Sequence, residues 1–229
     1  ACSTAAGPAF EGASISRGVG GIHGAVSTVR VEAGELEIST IGGAPPLGIC
    51  GSGIIDLSAI LVSFQIVDET GRLLPPDELP AALPEALRRR VSEEGFLVTL
   101  DRDGEPLYFT PKDVREVQLA KAAVAAGIDV LLEIYGISAG EVDQVFLAGG
   151  FGSYIDTAGA AGIGLLPAEL LDRVQPAGNT AGAGAAEVLL SLKAFGALQG
   201  LAEGVEYIEL SANLRFQQLF VDRMFFPAS

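Results

Sequence analysis

The sequence predicts an α/β fold, and three observations predict it. A helical pattern over residues 110–135 is followed by an apolar strand over 143–148, which opens into Gly149-Gly150-Phe151-Gly152 before helical character resumes. Two alternating, β-branched runs at 25–31 and 36–41 flank Glu32-Ala33-Gly34-Glu35 and read as a hairpin with a glycine in its loop. Finally, 229 residues at 49% apolar with 30 glycines supply a sizeable core and many sharp turns.

The elements follow in order. Ala1-Cys2-Ser3-Thr4-Ala5-Ala6 reads as the tail of a strand, Gly7-Pro8 as a turn and residues 9–13 as a short helix. After the hairpin, Gly42-Gly43-Ala44-Pro45-Pro46 breaks the pattern, and a glycine-rich loop over 47–53 feeds a buried helix at 54–61. Residues 68–110 differ in character, with Pro75, Pro76, Pro80 and Pro84 punctuating an acidic stretch. Arg88-Arg89-Arg90 is the basic cluster there, and a strand pair surrounds Asp103-Gly104. We expect a small inserted subdomain at approximately 67–110, with the arginines at a solvated helix end rather than clamping phosphate.

Thr110-Pro111 is a helix start, with Thr as cap and Pro in the first turn. Val117, Ala120, Val124, Ile128, Leu131 and Tyr135 make one apolar face, and Gly136 ends the helix. Further on, residues 178–186 lead into a last helix whose first turns carry only small side chains, so that another backbone can approach closely. Residues 207–210 read as a late strand and 212–225 as a closing helix, with no internal repeat.

Charge and cysteine usage narrow the function. Lys plus Arg number 14 against 29 Asp plus Glu, a net charge of −15, so neither nucleic acid nor an anionic membrane surface is expected as a partner. No apolar run approaches the ~20 residues of a bilayer span. Cys2, Cys50 and the sole histidine, His23, are too few for a Cys/His metal site, and the two cysteines are expected to be free thiols of a cytoplasmic protein. The opening at Ala1 carries no Met, basic segment or apolar leader, and we expect the chain to begin inside a longer protein.

Among the glycine loops, Gly51-Ser52-Gly53 starts like a dinucleotide fingerprint, but Asp56 stands at the third glycine and two prolines precede it. A Walker loop needs a Lys that none of these loops has. Residues 145–152 remain: an apolar strand whose carboxyl end opens into glycines, where a base or sugar can lie against bare main chain. A tight turn packed on residues 181–186 explains the spacing equally well. Gly51, Ser52 and Gly53 present N–H groups at a helix start and suit phosphate, or else form a simple strand-to-helix turn. Glu11 and Asp56 are the carboxylates nearest these loops, open to a role as water-mediated Mg²⁺ ligands or to capping and core hydrogen bonding. His23 has no positioned partner and no nucleophilic triad can be assembled, so we assign no catalytic residue and no metal ligand.

The segments Ala1-Cys2-Ser3-Thr4-Ala5-Ala6-Gly7-Pro8-Ala9-Phe10-Glu11-Gly12-Ala13, Leu47-Gly48-Ile49-Cys50-Gly51-Ser52-Gly53-Ile54-Ile55-Asp56, Gln118-Leu119-Ala120-Lys121-Ala122-Ala123, Leu147-Ala148-Gly149-Gly150-Phe151-Gly152 and Gly162-Ile163-Gly164-Leu165-Leu166-Pro167 resemble the carboxy-terminal domain of reductive activators of corrinoid proteins. The resemblance covers essentially the whole chain, 1–229. It implies the second, ribonuclease-H-like lobe of an actin-like ATPase domain, a mixed sheet flanked by helices, in the superfamily of acetate and sugar kinases, heat-shock chaperones and actins. By the same resemblance Gly149, Gly150 and Gly152 correspond to the adenosine motif, with Phe151 stacking on the base or packing in the core. Residues 178–186 are similar to the second connecting helix. Gln118 and Lys121 reach the base or ribose by analogy with the chaperone branch, or else form a solvated helix face.

Members of that family couple ATP hydrolysis to passing one electron from an iron-sulfur cluster to an inactive cob(II)alamin corrinoid, restoring cob(I)alamin. The resemblance therefore implies ATP with Mg²⁺ as cofactor and a corrinoid protein or corrinoid iron-sulfur protein as partner. It also implies a first lobe of the same polypeptide, with a homodimer left open. The acidic phosphate motifs and the cluster domain lie ahead of the position matching Ala1, so this chain alone is expected to be inactive, and two cysteines do not replace the cluster ligands. Residues 19–23, Val-Gly-Gly-Ile-His, depart from relatives that tend to carry another basic residue after Arg17-Gly18. A non-catalytic protein-binding or dimerisation lobe and a small-molecule kinase of the same superfamily are the alternatives.

Overall fold

Two residues with positive φ, Ala33 at 51° and Gly34 at 84°, close the hairpin between β1 (Ala25–Glu32) and β2 (Glu35–Thr40). Such a turn matches the right-handed twist of the strands it joins. The computed structural model describes residues 1–152 and 154–228, Phe151 by its backbone alone. The register slips between Val26 and Thr28, a bulge that interrupts the alternation of β1. β3 (Gly48–Ile49) adds to the other edge of β1 in parallel, giving the order β2-β1-β3.

From β3 the chain turns directly into α1 (Gly51–Ser63), which starts three residues before the apolar run that marks it in the sequence. Ile54, Ile55, Leu57 and Leu61 are fully buried, which for such side chains stabilises by about 1.5–3 kcal/mol each. Gly53 permits the contact: a Cβ there would run into the Val26 carbonyl of β1.

Residues 68–110 hold α2 (Glu85–Arg88) and the antiparallel pair β4 (Phe96–Leu100) and β5 (Pro106–Phe109). Leu87, Phe96, Leu107 and Phe109 have no exposed surface and join the same apolar cluster as Ile54 and Val117. The arginines serve local backbone: Arg88 donates to Pro80 O at 2.6 Å and Arg90 to Val98 O at 2.9 Å, while Arg89 pairs with Glu85.

α3 (Pro111–Tyr135) begins with a reciprocal cap between Thr110 and Asp113 and ends at Gly136 with φ of 76°. Buried Asp113 also accepts the Ser16 N–H at 2.6 Å, tying the amino-terminal loop to the helix. Beyond it, β6 (Val145–Ala148) runs straight into one helical turn, α4 (Gly149–Gly152), and then α5 (Thr157–Gly162). β7 (Val174–Gly178) pairs with β6 in parallel. α6 (Thr180–Leu190), α7 (Leu192–Gly204) and α8 (Leu214–Asp222) complete the chain. Among the described residues, the mixed strand directions expected of the fold are divided among three small sheets, with α1 packed on β1.

Four local expectations are corrected. Residues 9–12 form turns rather than a helix, because Gly12 at φ 83° and Gly18 cross too closely to let a helix run on. The helix that follows residues 178–186 stops at Ser191, which is extended and whose hydroxyl accepts the Ala194 N–H to start a further helix, α7, that the sequence reading lacked. The late strand reduces to a single parallel bridge between Ile208 and Cys2. The closing helix is confined to residues 214–222, capped by Asn213. It packs Leu219 near Val130 and Ala126 of α3, with Arg215–Glu133 and Arg223–Asp129 ion pairs at the rim that add little by themselves.

Candidate functional site

A cavity of about 640 Å³ opens where the amino terminus of α1, the α4 turn and the loop over residues 10–21 meet. Each wall follows from local sequence. β6 gives way to Gly149, whose φ of 94° turns the chain into α4, and Gly150 then lines the cavity, where no atom of the described residues lies within 4 Å of its Cβ position. Bare peptide at the end of a strand therefore lies open. Gly51 and Ser52 contribute the first turn of α1, whose N–H groups carry the positive end of the helix dipole.

The β1 bulge supplies the floor. Because the alternation breaks there, consecutive residues Ser27 and Thr28 both line the cavity. The Ser52 hydroxyl donates to Ser27 O at 2.7 Å, and the buried Cys50 thiol donates to Val26 O at 3.4 Å, so α1 is pinned to the bulge. Phe10, Val19 and Ile41 provide apolar surface, Tyr154 closes one side, and Glu11 is the charged side chain of the lining.

Of the sequence-derived candidates, Gly51, Ser52 and Gly150 thus share one cavity. Gly53 faces β1 instead, and a Cβ on Gly152 would press on Leu147 at 3.1 Å. The Phe151 ring lies outside the described residues. Gln118 and Lys121 are neither in the cavity nor solvated. Lys121 is 1% exposed and Gln118 2%, because the segment after α8 folds over them. The Gln118 amide nitrogen donates to Thr70 O and Met224 O, both at 2.9 Å, while the Lys121 ammonium donates to Phe225 O and lies 5.0 Å over the Phe226 ring. Burial, reinforced by the Arg223 charge, lowers the Lys121 pKa to about 8. At the small-residue start of α6, no atom of the described residues lies within 4 Å of the Gly184 Cβ position.

Sequence reasoning missed Phe10, Val19, Ile41 and Tyr154 as lining residues. Phe10 stands beside Glu11 in the first of the family-like segments, but nothing in the local pattern distinguishes a cavity-lining apolar side chain from a core one. The cysteines are both free, Cys50 buried and Cys2 partly so. Among the described residues, no three His, Cys, Asp or Glu side chains group as a cation site.

A second, polar cavity of about 370 Å³ shares Thr28 and Tyr154 with the first and holds Arg30, Asp56 and Asp156. Asp56 accepts the Val29 N–H at 3.0 Å, and Asp156 caps α5 through the Gly159 N–H at 2.7 Å. Burial pushes the Asp56 carboxyl up to about 6, the Val29 hydrogen bond opposing and the Asp156 charge reinforcing the shift.

A raised carboxyl holds its proton more tightly in the folded chain than in the unfolded one, so its contribution to stability is full below the unfolded value of 3.8 and falls until about pH 6. Asp56→Asn keeps the acceptor for Val29 and removes the ionisation. We expect the variant to be more stable at pH 7 by roughly 1 kcal/mol, allowing for solvent screening of a half-exposed group. Its melting temperature should also depend less on pH between 4 and 6 than that of the parent. Parallel thermal melts across that range check both; equal slopes would place the titration elsewhere.

Comparison with known proteins gives consistent results. The family model described as the C-terminal domain of RACo, the ASKHA domain, matches residues 1–229. The chain is 38% identical over 225 residues to "Corrinoid activation enzyme RamQ" of Eubacterium limosum, covering 96% of this chain and 38% of that protein. It is 26% identical over 212 residues to "[Co(II) methylated amine-specific corrinoid protein] reductase" of Methanosarcina barkeri, covering 82% of this chain and 34% of that one. A solved structure, "Reductive activator for corrinoid, iron-sulfur protein", superposes with a TM-score of 0.86 at 33% identity over 99% of this chain and 36% of its own. The chain therefore spans little more than a third of the length of these relatives.

Proposed function

Since the chain belongs to the family of C-terminal RACo domains, the ASKHA domain, we propose that it is the second lobe of an ATP-dependent reductive activator. In this reading residues 1–229 form one half of an actin-like ATPase domain, approximately 67–110 are an insertion within it, and the first lobe is supplied by the same, longer polypeptide. The partner is a corrinoid protein whose cobalt has been oxidised to the inactive Co(II) state. The names of the relatives support the corrinoid, and the observation that carries the nucleotide is the shared cavity of Gly51, Ser52 and Gly150.

ATP bound there would supply the free energy that makes an unfavourable one-electron reduction proceed. This chain's residues bind and orient: Gly150 offers unencumbered peptide for a flat ring, and Phe10, Val19 and Ile41 exclude water around it. The electron comes from an iron-sulfur cluster outside this chain, since such a cluster takes four ligands and the sequence has two cysteines. Among the described residues no helix is long and apolar enough to cross a membrane, and we place the activator in the cytoplasm.

The test is reduction of a Co(II) corrinoid protein by the full-length protein, with Mg²⁺ and a low-potential one-electron donor, followed by visible absorption. Co(I) should accumulate with ATP and fail to accumulate without it. Equal reduction in both would overturn the ATP dependence. A second reading, a lobe whose role is protein binding or dimerisation, draws on α7, where Leu192 is 92% and Leu201 69% exposed. Nucleotide-independent complex formation with the corrinoid protein, lost on replacing those leucines, would favour it.

A further inference from the structure

The larger cavity has a peculiar electrostatic lining. No Lys, Arg or His contributes to it, and the charged side chain that does, Glu11, is engaged by no hydrogen bond or ion pair among the described residues. Against that full negative charge stands the amino terminus of α1, equivalent to about half a positive charge and screened by solvent. The protein as a whole carries −15. A phosphate placed in the cavity would meet net repulsion, whereas a carboxylate on an apolar wall favours a neutral ligand that donates hydrogen bonds, because an ionised carboxylate only accepts.

Resting on the nucleotide reading above, we infer that the cavity seats the base-and-sugar end of the nucleotide with the phosphates outside it. Glu11 is the specificity-determining residue, accepting hydrogen bonds from the ligand's donor edge. That chemistry has two sources on a purine nucleoside, the exocyclic amine and the ribose hydroxyls. The apolar side chains Phe10, Val19 and Ile41, together with bare Gly150, suit the faces of a ring, and a cavity of about 640 Å³ has room for a nucleoside. Since Glu11 is exposed, its replacement leaves the core intact.

Calorimetry on the full-length protein with adenosine, ATP and inorganic pyrophosphate tests this. Adenosine should bind within about tenfold of ATP, pyrophosphate should not bind detectably, and Glu11→Gln should weaken adenosine by roughly tenfold or more. Purine riboside, which lacks the amine, and 2′-deoxyadenosine then identify the donor: the deletion that costs the parent protein affinity, and Glu11→Gln little, names it. Adenosine failing where pyrophosphate binds, or Glu11→Gln binding every nucleoside like the parent, overturns the inference and leaves ATP binding itself standing. If ATP does not bind either, the nucleotide reading beneath it falls as well.

Discussion

Replacing Gly150 with Asp is expected to weaken nucleotide binding by at least about a hundredfold while shifting the melting temperature by only about 2 °C or less. The asymmetry follows from the surroundings of this glycine. Among the described residues a Cβ at Gly150 would meet nothing within 4 Å, and its φ is not among the positive ones, so a side chain costs the fold little. An acidic residue in the first turn of a helix is, if anything, mildly favourable. The new carboxylate would nevertheless project into the cavity, fill the space proposed for the ring and add a second negative charge to that of Glu11. Gly150→Ala separates the two effects, since it adds bulk without charge and should lose much less. Calorimetry with ATP, alongside a thermal melt, reads both quantities; undiminished affinity in the Asp variant would remove the α4 turn from the site.

Gly53→Ala should do the reverse, damaging the fold first and the site in consequence. The added methyl would collide with the Val26 carbonyl and press on Ile49 at 3.1 Å, both fully buried. A main-chain oxygen in a sheet cannot rotate aside as a side chain can, so α1 must lift away from β1. We expect a loss of roughly 2–4 kcal/mol, a fall of about 5–15 °C in melting temperature. Because Gly51 and Ser52 ride on the displaced turn, nucleotide affinity should fall too. Chemical denaturation measures the first effect, and a midpoint unchanged within error would mean that the helix and strand do not approach as closely as described.

These two glycines show how far the sequence could be read. Both stood out as parts of glycine-rich loops, yet distant segments give them opposite surroundings: Gly53 faces the Val26 carbonyl, whereas Gly150 shares a cavity with Glu11 and Ser52. Features written in adjacent residues were legible, such as the Thr110 cap, the Gly136 stop and the Ala33-Gly34 turn, because each is decided by backbone chemistry within a few positions. α7 escaped notice because Gly196 and Gly200 interrupt it, so its apolar spacing does not announce a helix.

Gln118 and Lys121 misled for a related reason. A polar face on a helix looks the same in sequence whether water or main-chain carbonyls 104–106 residues away will satisfy it. The family resemblance pointed to Gly51, Ser52 and Gly150, which share the cavity, but it could not specify Phe10 or Tyr154, whose positions depend on how three loops converge.

The closure of residues 224–227 over α3 carries a practical consequence. Phe226 is 3% exposed and its N–H is bonded to Glu69 O at 2.8 Å, so this stretch is interior rather than fringe. A protease nick within it would strip the cover from an ammonium group.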